Sequence, residues 1–125
     1  GDLHRGNLLD RQDEGLLIID FDDMMMGPAV QDLWLLLPDR VGNCGRELAN
    51  LLDGYRTFAP FDEGQLALVE GLRFMRILYF LWWHALQRND YRFRQEHPHW
   101  GGRGFWTKEV EDLRDQLDHI EDGRG

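Results

Sequence analysis

Gly1-Asp2-Leu3-His4-Arg5-Gly6-Asn7, then Leu16-Leu17-Ile18-Ile19-Asp20-Phe21-Asp22-Asp23 after a short polar interval, is the part of the sequence that decides the fold. Residues 1–7 carry glycines near both ends and show no periodicity, which predicts a loop. Leu16 to Ile19 is a β-prone apolar run bounded by Gly15 and Asp20, so a strand is expected near 16–20. Leu8-Leu9 precede the polar turn Asp10 to Gly15, and the combination predicts a small hairpin with the loop at 1–7 leading into its first strand. Acidic groups then stand on both flanks of that hairpin.

Asp2 and Asn7 lie five apart, and Asp20 closes an apolar run thirteen residues later. Phosphoryl transfer from a nucleotide to a hydroxyl needs a carboxylate to take the hydroxyl proton and oxygen ligands to hold Mg²⁺ against the phosphates. Mg²⁺ prefers hard oxygens and keeps some of its waters, so one carboxylate and one amide completed by phosphate oxygens suffice. Asp2, Asn7 and Asp20 supply that set, and Asn7 and Asp20 fit the metal's share of it.

Working outward, Gly27-Pro28 breaks the chain, and Val30, Leu33, Trp34 and Leu37 fall at helical spacing until Pro38. Leu48, Leu51, Leu52, Tyr55 and Phe58 form a second stripe that ends before Pro60. A long helix is expected from Asp62 to about Asn89, apolar nearly all round from Met75 to Leu86 and therefore centrally buried. Tyr91 to Gly104, with His97-Pro98-His99-Trp100-Gly101-Gly102, has turn chemistry and predicts a loop. A last helix carries Val110, Leu113, Leu117 and Ile120 on one side and carboxylates on the other, read as a solvated face. There is no internal repeat or low-complexity tract, and residues 1–125 are expected to form one domain, with catalytic and metal-binding loops at 1–23 and a helical subdomain at 28–121.

Composition narrows the function classes. A net charge of -9 argues against a nucleic-acid partner or a membrane surface, because neutralising phosphates needs clustered Lys and Arg. The apolar run Ile77 to Ala85 is far short of the roughly 20 residues that span a bilayer. Cys44 is the single cysteine and has no internal disulfide partner, and no signal-peptide pattern opens the chain, so a cytoplasmic setting is the expectation.

The order Gly1-Asp2-x-His4-x-Gly6-Asn7, then Ile18-Ile19-Asp20-Phe21-Asp22, resembles the aminoglycoside and choline kinase branch of the protein-kinase-like superfamily. Met26-Gly27-Pro28-Ala29-Val30-Gln31-Asp32-Leu33-Trp34, Arg73-Phe74-Met75-Arg76 and the aromatic run Tyr79 to Trp83 are similar to the bacterial stress-response Ser/Thr kinases within it, over nearly the whole chain. The resemblance implies an α+β fold of the protein-kinase-like C-terminal lobe, mainly helical with a small hairpin by the catalytic loop and without the N-lobe. It implies ATP as donor, Mg²⁺ as cofactor, Asp2 and Asp20 as catalytic residues with Asp2 the base, Asn7 and Asp20 as metal ligands, Asn7, Asp20 and His4 as cofactor-binding residues, and Asp32 as a buried anchor for the loop. His4 stands where eukaryotic kinases have a phosphate-contacting Lys; it either positions the transferred group or holds the loop, and the second is favoured. Arg5 departs from the proline usual in the branch and adds a cation beside the phosphates. No Gly-rich loop, ATP-orienting Lys or hinge precedes Gly1, so half of the nucleotide site is expected to lie elsewhere.

The same base and metal ligands serve a protein Ser/Thr hydroxyl or a small alcohol such as an aminoglycoside, choline or homoserine. The expectation is a Ser/Thr protein kinase acting as a monomer, with the isolated chain inactive; a small-molecule kinase and a non-catalytic interaction module remain alternatives. Asp22 is a candidate second metal position, whereas Asp23 is read as capping the turn. His97 and His99 are read as loop structure, because two His without a third ligand rarely hold a metal. Met24 to Met26 are expected in the core, and Arg73 and Arg76 are expected to pair with nearby carboxylates.

Overall fold

A computed structural model describes residues 8–18 and 26–123. Its elements are β1 (Leu8–Asp10), β2 (Leu16–Ile18), α1 (Gly45–Arg56), α2 (Val69–Gln87), α3 (Tyr91–Glu96) and α4 (Arg103–Asp122), with short 3-10 turns between them. The chain falls into two compact units, Gly1–Val69 and Glu70–Gly125. A small hairpin with mainly helical structure after it is the α+β, mainly helical arrangement that the sequence leads one to expect.

In the first unit, β1 and β2 pair antiparallel with Leu8 opposite Ile18, Leu9 opposite Leu17 and Asp10 opposite Leu16. The turn closes through chemistry that Asp10 and Gly15 supply. Asp10 Oδ1 accepts from the Gln12 amide at 2.8 Å, and the Arg11 amide donates to the Gly15 carbonyl at 2.9 Å. Gly15 sits at φ +86° and ψ −166°, a region essentially reserved for glycine.

The segment after Pro28 buries Val30, Leu33 and Trp34 against Leu52 of α1, Phe61 and Val69, and the space they enclose is too small for a water molecule. It forms two 3-10 turns, Ala29–Asp32 and Trp34–Leu36, where a short helix is expected from the spacing. The reason is local. Pro38 holds Leu37 extended at ψ 139°, Pro28 sits at the other end, and the few residues between close through i to i+3 bonds such as Leu33 N to Val30 O at 3.0 Å. Two glutamines satisfy polar groups here: Gln65 Oε1 accepts from the Val30 amide at 3.1 Å, and Gln31 Oε1 accepts from Trp34 Nε1 at 2.9 Å.

α1 begins after Cys44, which is buried with Sγ donating to the carbonyls of Arg40 at 3.1 Å and Asp39 at 3.3 Å. Its far end sets Tyr55 edge-on against Phe61, with ring centroids 5.8 Å apart. The expected long helix from Asp62 divides. Asp62 Oδ1 takes the Gly64 amide at 2.8 Å while its carbonyl takes Gln65 N at 3.0 Å, which starts Glu63–Leu68 on a 3-10 path before α2 begins at Val69.

In the second unit, Gln116 of α4 is only 2% exposed and donates Nε2 to both the carbonyl and the carboxylate of Glu70, at 2.8 and 2.7 Å. Arg73 Nε lies 3.4 Å from the same carboxylate. An aromatic chain runs from His84 to Phe93, which meets both His97 and Trp100, and on from Trp100 through Phe105 to Trp106, each step with centroids under 6 Å.

Three expectations are corrected here. The stretch from Tyr91 to Gly104 is not all loop: Asp90 Oδ1 accepts the Phe93 amide at 3.0 Å and starts α3, whose Phe93 is buried. The central burial expected for α2 is absent, with Met75, Trp82 and Leu86 at 64%, 55% and 59% exposure. One six-residue helix and one longer helix are what the second unit offers to cover it, too little to enclose nineteen residues on all sides. Met26 is 99% exposed rather than in the core, while Met24 and Met25 lie outside the described residues.

Candidate active site

The residues expected to carry the chemistry, Asp2, His4, Asn7 and Asp20, lie outside the described residues, as do Arg5, Asp22 and Asp23. The hairpin that lies between the two motifs in the sequence is described. Leu8 and Ile18 face each other at the open end of the hairpin. In the sequence Asn7 directly precedes Leu8, and Asp20 follows Ile18 by two residues. An antiparallel pair in this register needs nothing else to bring two distant sequence positions to neighbouring strand ends.

Downstream, the segment that follows the second motif is held by its own core. Val30 is 1% exposed and Trp34 is 4% exposed, and the Val30 amide is tied to Gln65 across 35 residues of sequence. Asp32 ends the first 3-10 turn and is exposed, so the burial expected of it as an anchor is not found; the 3-10 path turns Val30 and Leu33 inward and leaves Asp32 on the outer side. Sequence reading missed Gln65. Its signal is absent from any periodicity, because a polar residue near an amphipathic stripe looks like surface until its partner amide is located.

Arg73 pairs with Glu70 as expected, and Arg76 places its guanidinium 4.6 Å from the centre of the Phe80 ring. His97 belongs to the aromatic chain, 4.6 Å from Phe93 and 5.5 Å from His84 between ring centres. Among the described residues no group of three His, Cys, Asp or Glu side chains is placed to hold a metal ion. Among them, too, no helix is long and apolar enough to cross a membrane.

Comparison with known proteins agrees with this frame. A family model described as the phosphotransferase enzyme family matches residues 1–69, which is the extent of the first compact unit. Stress response kinase A of Escherichia coli K12 is 36% identical over 110 residues, covering 88% of this chain and 33% of that protein. The stress response kinase A of Salmonella typhi and the serine/threonine protein kinase RdoA of Salmonella typhimurium match to the same extent. The chain therefore spans about a third of the length of these relatives. On the match over its first 69 residues, with the hairpin and core that those residues build, the chain belongs to the phosphotransferase enzyme family.

Proposed function

We propose that these 125 residues are the part of an ATP- and Mg²⁺-dependent Ser/Thr protein kinase that carries the base and the metal ligands. The observation that carries the reading is the hairpin register, in which Leu8 and Ile18 pair at the end where Asn7 enters and Asp20 follows. Asn7 and Asp20 offer one amide and one carboxylate oxygen, the hard donor set that Mg²⁺ accepts together with phosphate oxygens. Mg²⁺ supplies charge neutralisation on the phosphates when bound. Asp2 accepts the proton of the acceptor hydroxyl, and His4 holds the loop between them.

A protein acceptor is favoured over a small alcohol by the relatives, whose names include a serine/threonine protein kinase and which match 88% of the chain. The buried, singly occurring Cys44 suits a cytoplasmic enzyme, acting here as a monomer. The chain spans about a third of the length of these relatives, and the isolated chain is expected to be inactive.

The test is transfer from γ-labelled ATP by the protein expressed from its complete reading frame, with casein, an aminoglycoside, choline and homoserine offered separately. Label in casein is expected. Asp2→Asn should lower the rate by about 10²- to 10⁴-fold, the usual worth of a general base, and Asp20→Asn should abolish Mg²⁺-dependent transfer. Label confined to a small alcohol would remove the protein-kinase reading and leave a small-molecule kinase in its place.

A further inference from the structure

The chain contains no serine, and its threonines are Thr57 and Thr107. A Ser/Thr kinase acting on this segment therefore has two hydroxyls to choose from. Thr107 lies within α4 with its Oγ1 bonded to the Arg103 carbonyl at 2.9 Å, and presenting it to a catalytic cleft would require the helix to unwind around it. Thr57 is different. It is the exposed residue that follows the last turn of α1, with Phe58 beside it 92% exposed and Pro60 preventing further helix.

We propose that Thr57 is a phosphorylation site and that its phosphate loosens the C-terminal turn of α1; the proposal rests on the protein-kinase reading above. In the transfer, Thr57 Oγ1 bonds to the γ-phosphorus of ATP, the bond to the β,γ-bridging oxygen breaks, ADP departs and the hydroxyl proton passes to the kinase's carboxylate base. Unmodified, Thr57 Oγ1 donates to the Gly54 carbonyl at 2.7 Å, and the Thr57 amide meets the same carbonyl at 3.3 Å. The phosphate ester has no proton to give that carbonyl. It also sets about two negative charges at the helix end where the backbone carbonyls already concentrate negative potential. Arg56 is the preceding residue in the chain and is held 3.3 Å from Glu63, so a phosphate on Thr57 competes with Glu63 for its guanidinium. Tyr55 of the same turn is the ring that packs on Phe61, which connects the modification to the core of the first unit.

The experiment incubates the protein from its complete reading frame with Mg²⁺ and ATP, with casein as a parallel acceptor, and maps phosphate within residues 1–125 by mass spectrometry. Phosphate on Thr57 is expected; Thr57→Ala should lose it, while Thr57→Ser and Thr107→Ala should keep it. Hydrogen exchange at the amides of 54–59 should then run about tenfold faster in the phosphorylated protein than in the unmodified one, by the loss of one hydrogen bond of ordinary worth. Casein labelled with no phosphate on Thr57, phosphate on Thr107 instead, or unchanged exchange at the end of α1 would each overturn the proposal alone. Casein left unlabelled would bring down the protein-kinase reading and the proposal with it.

Discussion

At Gly15 the backbone holds φ +86° and ψ −166°, and a β-carbon built there would meet nothing within 4 Å. Space is thus irrelevant to its replacement, and conformation decides. Gly15→Ala is expected to cost about 1–3 kcal/mol, the usual cost of a non-glycine residue in this region, seen as a lower denaturation midpoint. Gln65 acts by the opposite logic, since its side chain matters and its backbone does not. Removing it leaves the Val30 amide, in a residue 1% exposed, without its acceptor. Gln65→Ala should destabilise by about 1–3 kcal/mol, as for a buried donor left unpaired, whereas Gln65→Glu retains an acceptor oxygen and should recover most of the loss. Equal midpoints for the two variants would show that the hydrogen bond to Val30 contributes nothing.

Among the elements, α1 and the Val30 to Trp34 segment form the core of the first unit, and Leu52, 3% exposed, is the side chain of α1 most enclosed by it. Leu52→Ala should cost about 2–5 kcal/mol by the cavity it leaves, measured by chemical denaturation. α3 depends instead on a cap. Asp90→Ala removes the acceptor of the Phe93 amide and should cost about 1 kcal/mol, with faster hydrogen exchange at residues 92–95. These two elements also show what the sequence made readable. The stripe of Leu48, Leu52 and Tyr55 repeats at helical spacing and announces α1, and the alternation of apolar pairs around Asp10 to Gly15 announces the hairpin. α3 has six residues with one buried position, Phe93, too few to make a period, and its start is written in a single Asp-to-amide bond. The 3-10 path of Ala29–Asp32 was hidden for a related reason. Val30, Leu33 and Trp34 satisfy both a 3-10 and an α-helical spacing, and the flanking prolines decide between them. The family was legible in the order of Asp2, Asn7 and Asp20, because phosphoryl transfer demands particular oxygen donors, whereas Gln65 was not, because its role depends on a partner 35 residues away.

At the scale of the whole molecule, apolar character along α2 does not translate into burial. All-round apolarity normally signals a helix enclosed on every side, yet Met75, Tyr79, Trp82 and Leu86, spaced by four, three and four residues along one face, are 64%, 51%, 55% and 59% exposed. Single exposed apolar residues are ordinary on a protein surface, but a contiguous stripe of this kind is not. Its chemistry predicts how the 125-residue chain behaves in isolation. It should bind an apolar fluorescent dye strongly near neutral pH, in spite of a net charge of -9 that keeps like molecules apart. The triple variant Met75→Gln, Trp82→Gln, Leu86→Gln should lower the dye signal several-fold while far-UV circular dichroism stays the same, because glutamine is a good helix former and none of the three is buried. Dye binding that persists unchanged in the triple variant would place the apolar surface elsewhere, and a loss of helix signal would mean that these side chains hold α2 in place through contacts their exposure does not suggest.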